Sequence, residues 1–84
     1  MAGLNILIAD DHRLVSQGVR KILEEQPDWR VVAEVTDGRD AVRVATDLQP
    51  DVAVMDVSMP HLNGVEATAQ LTGRVPGVKV LMLS

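Results

Sequence analysis

Four short apolar runs alternate with three longer amphipathic segments, and that alternation leaves few folds open to the chain. The runs are Leu4 to Ala9, Trp29 to Val35, Val52 to Met55 and Val78 to Leu83. Each has the length and the Val, Ile and Leu content of a strand. Between them apolar residues recur at helical spacing. The first segment carries Leu14, Val15, Gly18, Val19, Ile22 and Leu23 on one face, with Arg20, Lys21, Glu24 and Glu25 mostly on the other, and Pro27 is read as its end. The second runs from Arg39 to Leu48, turns Ala41, Val42, Ala45 and Leu48 inward, and stops before Pro50. The third, Val65 to Thr72, has a thinner stripe built on Val65 and Leu71, closed by Gly73 and Pro76-Gly77. Crossovers of this length join parallel strands in the right-handed sense. The expected class is α/β, an open parallel sheet built as β-α-β-α-β-α-β.

A length of 84 residues accommodates one small domain with a thin core. The fourth strand has no helix after it, so it is expected to leave an apolar edge that invites pairing with another chain. Hydrophobic residues at 46% and charged residues at 24% are globular proportions. The absence of cysteine excludes disulfides, thiolate zinc sites and cysteine nucleophiles. With one Trp and no Phe or Tyr, no aromatic platform for stacking bases can be built. A net charge of −4 disfavours direct binding to DNA. The longest N-terminal apolar run, Ile6 to Ala9, is too short for a signal peptide or a membrane span, and a cytoplasmic location is expected.

In open α/β sheets the ligand lies beyond the carboxyl ends of the strands, where strand order reverses. Here the first strand ends in Asp10 and Asp11, the third in Asp56 and the fourth in Ser84. If the first and third strands are neighbours, three carboxylates converge, and like charges so close call for a cation. An all-oxygen donor set suits Mg²⁺. A carboxylate beside Mg²⁺ can remain a ligand or attack a phosphoryl group. Asp56, alone at its strand end, is the candidate nucleophile; the Asp10-Asp11 pair is the candidate metal holder; Ser84 could donate its hydroxyl to a phosphoryl oxygen. Blander readings stand beside these. Asp10 or Asp11 could cap the first helix. His12 reads as part of the helix start, His61 as a solvated loop residue, Met55 and Met59 as packing, Gly38 as a turn residue, Gly64 as a helix start, and Arg39 and Arg43 as a solvated face.

The segment Ile6-Leu7-Ile8-Ala9-Asp10-Asp11-His12, with Leu14-Val15 and Gly18, resembles the opening of the receiver domains of bacterial two-component response regulators. Pro50 to Pro60 with Asn63-Gly64-Val65-Glu66-Ala67 is similar to the segment around their phosphoacceptor aspartate, and Val80 to Ser84 to their fourth strand and hydroxyl switch residue. Asp10-Asp11-His12, Val32 to Val35 and Asp37-Gly38-Arg39 are similar to the NarL/FixJ (LuxR-type) subfamily, in which a receiver precedes a helix-turn-helix DNA-binding domain.

The resemblance implies a flavodoxin-like, CheY-like sheet with helices on both faces. It implies that Asp56 accepts a phosphoryl group from a sensor histidine kinase, that Asp10, Asp11, Asp56 and the backbone carbonyl of Ser58 hold Mg²⁺, and that Ser84 binds the phosphoryl group and shifts. Such a domain is a signalling phosphoacceptor rather than an enzyme, although the family assists its own phosphoryl transfer and dephosphorylation.

The resemblance also marks departures. Receivers have five βα units, so residues 1–84 are expected to be the N-terminal part of one, without the fourth helix, fifth strand, fifth helix or DNA-binding domain. The lysine of the fifth strand has no counterpart; the only lysines are Lys21 and Lys79. The piece is expected to be an impaired phosphoacceptor that could dimerise or swap elements through its fourth strand. A phosphorylation-independent interaction module is the alternative. A haloacid-dehalogenase-like phosphohydrolase is a weaker one, because Ser58 stands where that chemistry needs a second Asp.

Overall fold

The computed structural model describes residues 3–83. The elements are β1 (Leu4–Ala9), α1 (Arg13–Leu23), β2 (Trp29–Val35), α2 (Gly38–Leu48), β3 (Val52–Asp56), α3 (Gly64–Arg74) and β4 (Lys79–Leu83). The strands form one parallel sheet in the order β2-β1-β3-β4. The order in which strands are added therefore reverses between β1 and β3, and the crevice expected at a switch point lies beyond their carboxyl ends.

Alternation along β1 divides the core. Leu7 and Ala9 face α2 and α3, where Ala41, Val42, Ala45, Ala53, Met55, Met59, Ala67, Leu71 and Val75 complete the larger cluster. Ile6 and Ile8 face the other way and pack with Val31 and Val54, flanked by Val19 and Leu23 of α1. β1 is buried on both faces, as its continuous apolar run requires. β2 is an edge strand, and its pairing with β1 slips by one residue between Ile6 and Leu7, so Val32 is passed over. Such a bulge, with charged Arg30 and Glu34, discourages pairing at that edge. Arg20 ties α1 to this edge through Glu34 at 2.6 Å, and Glu24 at the end of α1, which Arg20 meets at 3.1 Å, accepts from Val31 N of β2 at 3.3 Å.

Several expectations need correction. α1 ends at Leu23, four residues before Pro27, because hydrogen bonds from Glu25 N to Ile22 O and from Gln26 N to Leu23 O tighten the chain out of the helix. α3 passes through Gly73 and reaches Arg74. Its inward face is Gly64, Ala67 and Leu71, whereas Val65 is exposed. Small Ala67 lets this helix lie close to the sheet. Leu48 of α2 is also exposed. The larger departure concerns α1. Leu14 is 83% exposed and Ile22 66% exposed, and only Val19 and Leu23 of the expected face pack inward. The helix packs mainly on β1 and β2, and its other flank, with Leu14 and Ile22, stays open. Leu81 pairs with Val54 in register and so shares the face of α1, and it too is exposed. β4 is the open edge that its sequence suggests.

Candidate functional site

The register of β1 against β3 sets Ala9 beside Met55, so the next residues, Asp10 and Asp56, stand level at the mouth of the sheet. Both are buried. Asp11 follows on the exposed turn, and His12 is the residue before the first turn of α1. His12 occupies the capping position yet makes no side-chain cap to the helix. Its ring turns toward the acids. Nδ1 lies 3.1 Å from Asp10 Oδ1, 3.0 Å from Asp11 Oδ1 and 3.7 Å from Asp56 Oδ2. Its backbone N–H donates to Asp10 Oδ1 at 2.7 Å, which orients that carboxylate. One donor atom from each of Asp10, Asp11, His12 and Asp56 lies within 4.8 Å of the others.

The three aspartates singled out in the sequence are thus brought together, and neither Asp10 nor Asp11 caps α1. His12 stands at the helix start, as read from sequence, and its ring also joins the acids, the less favoured reading of that residue. Its position directly after an acidic pair, where the chain leaves the strand, was the available signal. The hydrogen bond to Asp10 and the charges of Asp11, Asp10 and Asp56 raise the His12 pKa above its usual value.

The loop after β3 supports Asp56 from the other side. Ser58 N donates to Asp56 Oδ1 at 3.1 Å, leaving Oδ2 toward the cluster. Gly64 N closes the loop onto Val57 O at 2.9 Å. A side chain at Gly64 would overlap the carbonyl of Asp56, and one at Gly38 would overlap the carbonyl of Leu62. These glycines are therefore close-approach positions: Gly64 starts α3 as read from sequence, whereas Gly38 opens α2 rather than serving a turn. Asp37 caps α2 by accepting from Asp40 N at 2.8 Å. Its second oxygen lies 3.2 Å from His61 Nδ1, so His61 is more than a solvated loop residue. The Asp40 amide, then His61, holds the Asp37 carboxyl below its usual pKa. Ser84 lies outside the described residues.

Three clustered carboxylates are electrostatically costly without a cation and offer hard oxygen donors. The site therefore fits a divalent ion such as Mg²⁺. No helix among the described residues is long and apolar enough to cross a membrane.

Residues 6–84 match the family model described as "Response regulator receiver domain". The chain is 49% identical over 81 residues to the transcriptional regulatory protein DegU of Brevibacillus brevis, covering 96% of this chain and 34% of DegU. It superposes on the response regulator domain of Thermotoga maritima CheB with a TM-score of 0.89 at 36% identity, covering 95% of this chain and 59% of that one. For the signal receiver domain of the response regulator NarL from Mycobacterium tuberculosis the TM-score is 0.90 at 29% identity, covering 98% of this chain and 66% of that one. The chain thus spans about a third of the length of DegU. The strand order, the acidic mouth at the switch point and the match over nearly every residue agree, and the chain belongs to the receiver domains of two-component response regulators.

Proposed function

We propose that this chain is a phosphoacceptor, that Asp56 takes a phosphoryl group from a sensor histidine kinase, and that the change serves a DNA-binding output domain. The observation that carries this reading is the convergence of Asp10, Asp11 and Asp56 at the carboxyl mouth of the sheet. Asp10, Asp11, Asp56 and the Ser58 carbonyl would hold Mg²⁺, which when bound supplies positive charge against the carboxylates and the incoming phosphoryl oxygens. The remaining work belongs to the chain. Ser58 N holds Oδ1 of Asp56 and leaves Oδ2 toward the acidic cluster, the side on which the phosphoryl group would arrive. A P–O bond to Asp56 forms as the P–N bond of the phosphohistidine breaks, and the histidine nitrogen leaves with the electron pair. Ser84 would then donate its hydroxyl to a phosphoryl oxygen.

Residues 1–84 would be the N-terminal part of the receiver. The open edge of β4 and exposed Leu81 and Met82 fit a further strand and its helices, or a second copy pairing through β4. Lys21 lies on α1 and Lys79 begins β4 at the end of the sheet away from the mouth, so neither replaces the family's lysine at the acceptor. A cytoplasmic setting fits this role.

The test is incubation with acetyl phosphate and Mg²⁺ followed by intact-mass spectrometry. One phosphoryl group should be gained, and the gain should vanish with chelator or in Asp56→Asn. A chain that remains unmodified under all conditions would support the phosphorylation-independent module instead.

A further inference from the structure

The loop between β3 and α3 carries Ser58 and runs from Val57 to Asn63, and two kinds of contact hold it. Its base is closed by the bond from Gly64 N to Val57 O at 2.9 Å. Its tip is bent sharply at His61. Leu62 N donates to Pro60 O at 2.8 Å, a bond spanning two residues, and His61 between them has φ 68. That is the backbone of a γ-turn in its rarer and strained form, held by a residue that has a side chain. Such strain persists only where surrounding contacts impose it.

Two adjacent contacts do so. The imidazole Nδ1 of His61 lies 3.2 Å from Asp37 Oδ2. The carbonyl of the next residue, Leu62, lies against Gly38, with no room for a Cβ between them. Asp37 is itself anchored, because its other oxygen caps α2 through Asp40 N. The tip of the loop is therefore clamped to the first turn of α2, while its near end holds Asp56 through Ser58 N.

We propose that His61 is a positioning residue for the acidic site, and that its bridge to Asp37 sets the loop so that Ser58 and Asp56 are presented in the geometry that binds a divalent cation. This rests on the reading of Asp10, Asp11 and Asp56 as the Mg²⁺ site. His61 lies outside the acidic cluster itself. Its influence runs along the loop backbone from the clamp to Ser58.

The experiment is titration of the protein with Mg²⁺, followed through the Ser58 and Gly64 amide signals by NMR, with thermal melts in parallel. His61→Ala removes the bridge and should weaken Mg²⁺ binding by about tenfold, as loss of an outer support of a metal site typically does. His61→Asn tolerates positive φ and places an amide N–H where Nδ1 stood, so it should restore affinity to within about twofold. His61→Gly removes the bridge but relieves the strained backbone. It should melt no lower than the parent and still bind Mg²⁺ about tenfold more weakly, which a purely structural role would not produce. Asp37→Ser keeps a capping oxygen and loses the one that meets His61, and should behave like His61→Ala. Parental affinity in His61→Gly or in Asp37→Ser overturns the inference, and these variants stand even if His61→Ala fails to fold. A parent protein whose Ser58 and Gly64 signals ignore Mg²⁺ overturns the metal-site reading instead.

Discussion

Replacing Asp56 by Asn should make the metal-free protein more stable, although it removes the proposed acceptor. Asp56 shares its mouth with the carboxylates of Asp10 and Asp11, one donor atom of each lying within 4.8 Å of the others. Two unit charges at 4.8 Å repel by about 0.9 kcal/mol in water and about 3.5 kcal/mol at an effective dielectric of 20. Asp11 is open to solvent, so the lower figure governs its pair with Asp56, while the buried Asp10 carboxylate is already met by the backbone N–H and ring of His12. The His12 imidazolium, where protonated, offsets one of the two repulsions. A net gain of about 1 kcal/mol remains for Asp56→Asn. Asn retains the oxygen that accepts from Ser58 N, so no buried donor is orphaned. For a domain of this size 1 kcal/mol corresponds to about 4–8 °C in Tm. The assay is a thermal melt by circular dichroism, first in chelator and then with excess Mg²⁺. The variant should melt higher in chelator. Mg²⁺ should raise the parent and leave the variant nearly unmoved, because ligand stabilises only the fold that binds it. A variant that melts lower than the parent in chelator, or an equal Mg²⁺ shift in both, would refute the electrostatic reasoning.

Three further outcomes are expected. The His12 pKa is raised in the folded state, so its contribution is present in full below the unfolded value of about 6.5 and fades as pH rises through the folded value; in metal-free buffer, stability should decline across that window in the parent and not in His12→Asn, as denaturant melts at several pH values will show. Asp37→Ala removes the cap of α2 and should cost about 1 kcal/mol at neutral pH; because the folded Asp37 pKa is lowered, this contribution is present above the usual carboxyl value and is lost as pH falls through the folded one, so the two proteins should converge in acid. Leu71→Ala opens a cavity under α3 and should cost about 2–5 kcal/mol, whereas Leu14→Ser on exposed α1 should stay within about 0.5 kcal/mol, and urea midpoints will separate them.

Much of this molecule was legible before any coordinates. The continuous run Ile6 to Ala9 can be satisfied only by burial on both faces, and this specifies a parallel sheet with β1 inside. The runs also locate Asp10, Asp11 and Asp56 at strand ends, and their chemistry asks for a cation there. Local pattern went astray where burial depends on neighbours. Leu14 and Ile22 share a helical face with Val19 and Leu23, yet only the latter two meet the sheet, because an amphipathic period says which side is apolar and not whether anything lies against it.

Other features belong to the tertiary structure alone. The level placement of Asp10 and Asp56 comes from the register of β1 on β3. The turn of His12 into the acids comes from where α1 begins. The clamp of His61 on Asp37 joins residues 24 apart in the chain. Periodicity and residue type act over a few neighbouring positions, so the chain alone could determine its elements and the chemistry at their ends. Which of those ends meet is decided by packing between distant segments, and only the folded sheet sets it.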